Sequence, residues 1–230
     1  MSKHALIWDL PLRIFHWLFS CTVIASWYTS DQDNNLIELH MQLGFFALGL
    51  LVFRILWGFL GTKHSLFSSF FPTPKRLIKY ISDIKNKQVQ KSSGHNPLGS
   101  LMVILMIVLI SLQAISGLFI NDDVFSSGPY YDSVSKEVEQ VMVFLHHNVF
   151  DFMIAAIGLH LLAIVYYVHV KKQSLILPMI TGKKLTDKIN KADEITHSKL
   201  WLALIILLVV VAFVYWLVVL NAPAIEEYYY

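Results

Sequence analysis

A single cysteine, Cys21, stands among 230 residues, and it lies in the middle of an apolar run. That scarcity excludes a disulfide framework, an iron–sulfur cluster held by this chain alone, and a haem attached covalently through a C-x-x-C-H motif. Charge is also thin. Asp, Glu, Lys and Arg make up 15% of the chain while 56% is hydrophobic, far from the balance of a soluble domain. Apolar and polar residues nowhere alternate with period two, which argues against barrel strands, and there is no internal repeat or low-complexity tract. The start, Met1 to Pro11, does not read as a secretory signal, because the first apolar run lacks a small-residue cleavage site and carries an Arg and a His at its start, so that run is expected to be retained as the first span.

What is present is a set of five apolar stretches, at about 13–29, 38–60, 98–120, 141–169 and 200–220. Each reaches or approaches the 17–25 residues a helix needs to cross hydrocarbon. Backbone groups there must be satisfied within the segment, so the sequence predicts an all-α membrane protein. Charge sets its expected orientation. Lys63, Lys75, Arg76, Lys79, Lys85, Lys87 and Lys91 lie between the second and third stretches against one acid, Asp83. Lys171, Lys172, Lys183, Lys184, Lys188, Lys191 and Lys199 follow the fourth. The other side carries Asp31, Asp33, Glu38, Asp122, Asp123, Asp132, Glu137, Glu139, Glu226 and Glu227, with Lys136 as its only base. The positive-inside rule then predicts a cytoplasmic N-terminus, two cytoplasmic Lys-rich loops, and acidic loops and a C-terminus outside. Membrane lipid, and no nucleic acid, is the expected surrounding.

Along the chain, Trp8, Trp17, Trp27 and Tyr28 are expected near the two interfaces of the first span, and the glycines of Trp57-Gly58-Phe59-Leu60-Gly61 at the end of the second. Thr73-Pro74 reads as the cap and first residue of a short basic helix whose Leu77, Ile78, Ile81 and Ile84 would rest on the cytoplasmic leaflet. The third span opens at Gly94-His95-Asn96-Pro97-Leu98-Gly99 and holds no histidine. It is expected to be a packing helix, with Gly117 allowing a neighbour or a flat ligand to approach. Turn residues at Ser126-Ser127-Gly128-Pro129 precede a polar stretch in which the fourth helix should begin outside the membrane. Arg54 is expected to snorkel, and Asp151 either to pair with a polar group on a neighbouring helix, the favoured reading, or to take part in proton movement.

Four histidines fall inside these stretches: His16, His40, His146 and His160. An imidazole in a bilayer is costly unless it is coordinated or paired. His146 and His160 are fourteen residues apart, about 40° short of four full turns, so they share one helix face roughly 21 Å apart. Depth sorts the four into two pairs, His16 with His160 towards the inside and His40 with His146 towards the outside. Two ligands stacked on one helix, each matched by one on another helix, suit two haems placed one above the other and electron transfer across the membrane. With no covalent attachment motif these would be b haems, and imidazole at both axial positions leaves the iron no open site. Zinc would need three or four ligands around one point. His147 lies about 140° off the face of His160 and is not expected to be a ligand. His4, His64 and His197 read as solvated loop residues and His169 as interfacial. His95, in Gly-His-Asn-Pro at a helix start, could meet a propionate or a quinone headgroup.

Trp8-Asp9-Leu10-Pro11-Leu12-Arg13-Ile14-Phe15-His16-Trp17 resembles the opening of the bacterial cytochrome b561 family, which includes the b-type cytochrome subunits of nickel–iron hydrogenases. The resemblance continues through His40 to Phe45, Phe53 to Gly58, Gly94 to Gly99, Leu145-His146 to Leu159-His160, and Met179 to Lys183, so it covers about residues 5–184. It implies a four-helix transmembrane core holding two b haems on His16, His40, His146 and His160, in a quinone-reactive carrier that serves a periplasmic redox partner. Residues 1–184 would form this domain, and residues 185–230 a linker and an additional, fifth transmembrane helix.

The function expected on this basis is electron transfer across the cytoplasmic membrane between the quinone pool and a hydrogenase or a c-type cytochrome. Arg13 and the His95 turn, level with His16 and His160, are candidates to bind quinone. Two other readings stand beside it. One is superoxide oxidation, disfavoured because ten acids outside would repel an anion. The other is a haem-bearing anchor subunit of a larger complex. Whether the chain forms a homodimer is left open.

Overall fold

The computed structural model describes residues 4–31, 35–86, 88, 92–121, 127–185 and 193–223. Asp33, Lys87, Lys91, Asp122, Asp123, Ser126, Lys188, Lys191, Glu226 and Glu227, used above to read loops and charge, lie outside the described residues.

A short strand β1 (His4–Leu6) leads into α1 (Leu10–Thr29) and α2 (Ile37–Leu60), followed by two small helices, α3 (Phe67–Phe70) and α4 (Pro74–Lys85). Next come α5 (Pro97–Ser116) with a 3-10 turn to Phe119, the long α6 (Lys136–His169), α7 (Ile176–Thr181), strand β2 (Lys183–Leu185) and α8 (Leu200–Tyr215), which continues in a π-helical turn to Leu220. Among the described residues four helices are long and apolar enough to cross a membrane: α2, α5 with its turn, α6, and α8 with its π turn. α1 is long enough but carries Arg13, His16 and several hydroxyls. Its Ser20, Thr22 and Thr29 hydroxyls donate to the carbonyls four residues back, each at 2.8 Å. Those three hydroxyls are therefore satisfied within the helix itself.

α1 lies along α2, α2 along α5 and α5 along α6, but α1 and α6 scarcely touch. A ring contact between Trp27 and Phe150, 6.3 Å between centroids, bridges them. α8 packs outside the ring against α2, with Ile206, Val210 and Val214 one turn apart facing Phe53 and Gly49. At its far end Tyr130 donates to the Leu217 carbonyl at 2.8 Å, one of the last orphan carbonyls of the helix.

The opposite end is tied across by segments distant in sequence. β1 pairs antiparallel with β2, His4 opposite Leu185 and Leu6 opposite Lys183. Ile195 N–H donates to the Leu6 carbonyl at 2.9 Å, and the Lys199 ammonium to the carbonyls of Leu60 and Gly61 at 3.2 and 2.7 Å. Below this ribbon lies a polar hub. Asp9 caps α1 by accepting from Leu12 N–H at 2.8 Å, and its fully buried carboxylate also accepts from Trp57 Nε1 (3.1 Å), Thr62 Oγ1 (2.5 Å) and Ser65 Oγ.

Three expectations change here. Arg54 does not snorkel: it is 3% exposed, donates to the Ser65 carbonyl at 3.3 Å and lies over the Phe67 ring, because the chain after α2 folds back to cover it. Gly58 does not end α2. A Cβ there would stand 2.1 Å from the Phe67 ring, so the glycine makes room for α3. Trp8 is buried in the core rather than interfacial. α4 begins as read, with Thr73 accepting from Arg76 N–H and Pro74 following it, and its Ile78, Ile81 and Ile84 are exposed.

Candidate cofactor sites

His40, in the first turn of α2, and His146, on α6, face one another with ring centroids 6.2 Å apart and planes at 83°. His40 Nδ1 lies 2.8 Å from the Ser26 carbonyl of α1, and His146 Nδ1 3.0 Å from the Gln113 carbonyl of α5. A carbonyl can only accept, so each Nδ1 carries the proton and each Nε2 keeps its lone pair. The 3-10 turn after α5 lets the His146 ring approach its backbone: a Cβ on Gly117 would stand 3.1 Å from His146 Cε1. The neighbour that Gly117 admits is thus a histidine ring. His147 is exposed and meets the edge of His146, away from His40.

His16 on α1 and His160 on α6 form the second set, at the ribbon end. His16 Nδ1 is buried with no hydrogen-bond partner. Among the described residues no three or more His, Cys, Asp or Glu side chains gather round one point.

These surroundings fit haem. Two facing imidazoles, 6.2 Å between centroids and each with an Nε2 lone pair to give, are a donor set that would suit a haem iron. Backbone carbonyls hold their Nδ1 protons, the usual device for presenting a ligating imidazole. Gly44, one turn from His40 on the same face, has nothing within 4 Å of where a Cβ would stand, which leaves space beside the pair for a flat ligand. At the ribbon end His16 Nδ1 is likewise a buried ring nitrogen left without a partner inside the chain.

The other candidate residues take distinct places. The His95 ring lies between Trp8 and Phe70, centroids 4.7 and 4.8 Å away, with a buried Nδ1 that has no partner. Burial above all, with Arg54 and Lys184 nearby, pushes its pKa down to about 3, so it is a neutral ring at physiological pH. It lines a cavity of about 150 Å³ with Lys63, His64, Ser93 and Asp193. Arg13 reaches α7, donating to the Ile180 carbonyl, while its Nε is buried without a partner. Asn96 serves the fold: it caps α5 by accepting from Gly99 N–H at 2.7 Å and donates to the Tyr167 hydroxyl at 3.2 Å.

Sequence reasoning missed two features of this end. His64 is 8% exposed and 2.6 Å from the Asp193 carbonyl, where burial lowers its pKa, so it is not a solvated loop residue. Asp193 also accepts from Lys63 at 2.8 Å and Ser93 at 2.7 Å, and these bonds hold its carboxyl below the usual range. No local pattern announces contacts that join residues 63, 93 and 193. Asp151, expected to pair with a neighbouring helix, is exposed on α6 instead.

A family model described as prokaryotic cytochrome b561 matches residues 7–182. A protein of Bradyrhizobium diazoefficiens named probable Ni/Fe-hydrogenase B-type cytochrome subunit is 22% identical over 213 residues, covering 77% of this chain and 85% of the relative.

Proposed function

The chain belongs to the prokaryotic cytochrome b561 family, and from that premise we propose that it carries two b haems and moves electrons across the bacterial inner membrane, between the quinone pool and a periplasmic redox protein. The observation that carries this reading is the facing pair His40 and His146, whose Nδ1 protons are both taken by backbone carbonyls. His40 with His146 would hold one haem and His16 with His160 the other. When bound, each would supply one-electron transfer. In this reading α1, α2, α5 and α6 cross the membrane around the haems, and α8 crosses beside α2 as a fifth span. The lysine-rich ribbon end lies in the cytoplasm, as the positive-inside rule favours, and the acidic end in the periplasm.

The chain's own residues would bind quinone at the ribbon end. His95, kept neutral by burial, has one N–H to give a quinone carbonyl and one lone pair to receive a hydroxyl proton. Arg13 Nε has a further donor to offer. The acids Asp31, Glu38, Asp132 and Glu139 at the other end suit a basic docking face on a c-type cytochrome, while the name of the Bradyrhizobium relative favours a hydrogenase. The test is a haem count with a quinol as donor. Purified protein should contain two low-spin b haems per chain, both reduced by quinol. One haem per chain, or a high-spin centre that binds carbon monoxide, would overturn the reading.

A further inference from the structure

On the side of α6 opposite His146 and His160, Phe144, Asn148, Asp151, Ala155, Gly158 and Leu162 are all exposed. Their spacing alternates four and three residues, so they form one straight seam along the helix. Two of its properties do not suit lipid. Asp151 lies five residues beyond His146, roughly 7.5 Å further along the helix and between the two histidine levels, within a helix long and apolar enough to cross a membrane. Among the described residues no hydrogen bond or ion pair reaches its carboxylate, and Asn148 only turns its amide back onto the Phe144 carbonyl at 2.7 Å. Polar side chains at such depth face protein or water, not acyl chains.

The second property is the glycine. A Cβ on Gly158 would meet nothing within 4 Å, so nothing inside the chain calls for glycine there. Glycine weakens a helix, and its reason must lie outside the monomer. Ala155 and Gly158, three apart on one face, offer the small surface on which membrane helices approach closely.

The seam is complementary to itself. His147, exposed at its edge and one turn before Asp151, adds a ring donor to the Asn148 amide and the Asp151 acceptor. A two-fold axis along the membrane normal brings equal depths together. It sets the Asn148 flank of one copy against the Asp151 flank of the other, about 4.5 Å apart in depth, so that each Asn148 amide can donate to the other copy's Asp151 carboxylate. One contact then satisfies every polar group on the seam twice over, as an isologous interface does. A foreign helix would need a separate matching set. We infer that this face of α6, centred on Asn148, Asp151 and Gly158, is a homodimer interface within the membrane.

The test uses the full haem-loaded chain in lipid nanodiscs, with Cys21→Ser to remove the native thiol. The assembly should have the mass of two chains. Ala155→Cys should cross-link to itself on oxidation, while Leu207→Cys, exposed on α8, should not. Asn148→Leu with Asp151→Leu should weaken association by about tenfold or more with both haem spectra unchanged, removing polar contacts between membrane helices. Gly158→Leu should do the same by steric exclusion, which keeps the inference testable if the double variant misfolds. A chain that stays monomeric as lipid is diluted out, a dimer that cross-links through Leu207→Cys instead, or Ala155→Cys cross-linking in native membranes only to a different protein would overturn it.

Discussion

The two histidine sets are built in different ways. At the acidic end His40 and His146 are oriented by main chain: the Ser26 and Gln113 carbonyls take their Nδ1 protons, and the turn at Gly117 seats the His146 ring. At the ribbon end His16 Nδ1 has no such acceptor, and the order lies around it, in the Asp9 hub, the buried Arg54 and the strands that cross the helix ends. A ligand held by carbonyls depends on helix packing that no single side chain controls. A ligand framed by side chains depends on each member of the frame. The acidic-end site should therefore respond to changes in its ligands and the ribbon-end site also to changes some distance away.

The largest effect comes from the ligands and gives the comparison its simplest test. His40→Ala or His146→Ala should remove one haem and leave the other, and His16→Ala or His160→Ala the reverse, read as a halved pyridine haemochrome with distinct residual α-bands. His147→Ala should keep both. Haem loss in His147→Ala with retention in His146→Ala would break the assignment of the pairs.

Next in size is the hub. Asp9→Ala strips the acceptor from Trp57, Thr62 and Ser65 and leaves the Arg54 guanidinium buried without its countercharge. Breaking a buried charged network by one member costs about 3–5 kcal/mol. Thermal unfolding should show that loss, with the ribbon-end haem released at lower temperature than the other. Equal release of the two haems would mean that the ends are not independently built.

Much of this was legible in the sequence. Helix existence followed from length and apolarity, the meeting of His40 with His146 from their common depth, and the start of α4 from Thr73-Pro74. What was hidden depends on tertiary return of the chain. Asp9 reads as a loop residue before Pro11, yet Thr62 and Ser65 fold back to bury it. Arg54 sits near a helix end where snorkelling is the local expectation, and Phe67 and Phe70 close over it. His64 and Asp193 meet only because the segment before α8 crosses the helix ends. α8 itself lies beyond the family match at residue 182, although its Ile206 and Val210 share a buried core with Trp8 and Trp57.

A smaller effect tests the ribbon end through pH. His95 has a folded pKa lowered from 6.5 to about 3 by burial, so between those values the unfolded chain binds the extra proton. Stability should be full above pH 6.5 and fall as pH drops towards 3. His95→Phe, which keeps a ring between Trp8 and Phe70, should flatten that slope in thermal melts from pH 7 to 4. The same variant should slow quinol-driven reduction while leaving both haem spectra intact. An unchanged slope would mean that the ring is not held neutral, and unchanged turnover would move the quinone site away from His95.

The finest test bears on the carbonyl-held site alone. Gly117 has φ −60° and ψ −19°, a conformation open to alanine, so Gly117→Ala need not disturb the backbone. Its new Cβ would stand 3.1 Å from His146 Cε1 and 3.4 Å from Nδ1, closer than such atoms normally rest. The ring must give by a few tenths of an ångström, which strains its bond to the Gln113 carbonyl without removing it. Changes to groups that orient a metal-bound imidazole typically cost about 10–100-fold in affinity, and a displaced rather than deleted partner should sit near the lower bound. The haem between His40 and His146 should thus exchange out to apomyoglobin about tenfold faster and show a shifted midpoint potential, while the haem between His16 and His160 keeps both values. If both haems move together, helix packing transmits the strain along α6 and the two sites are not separately built.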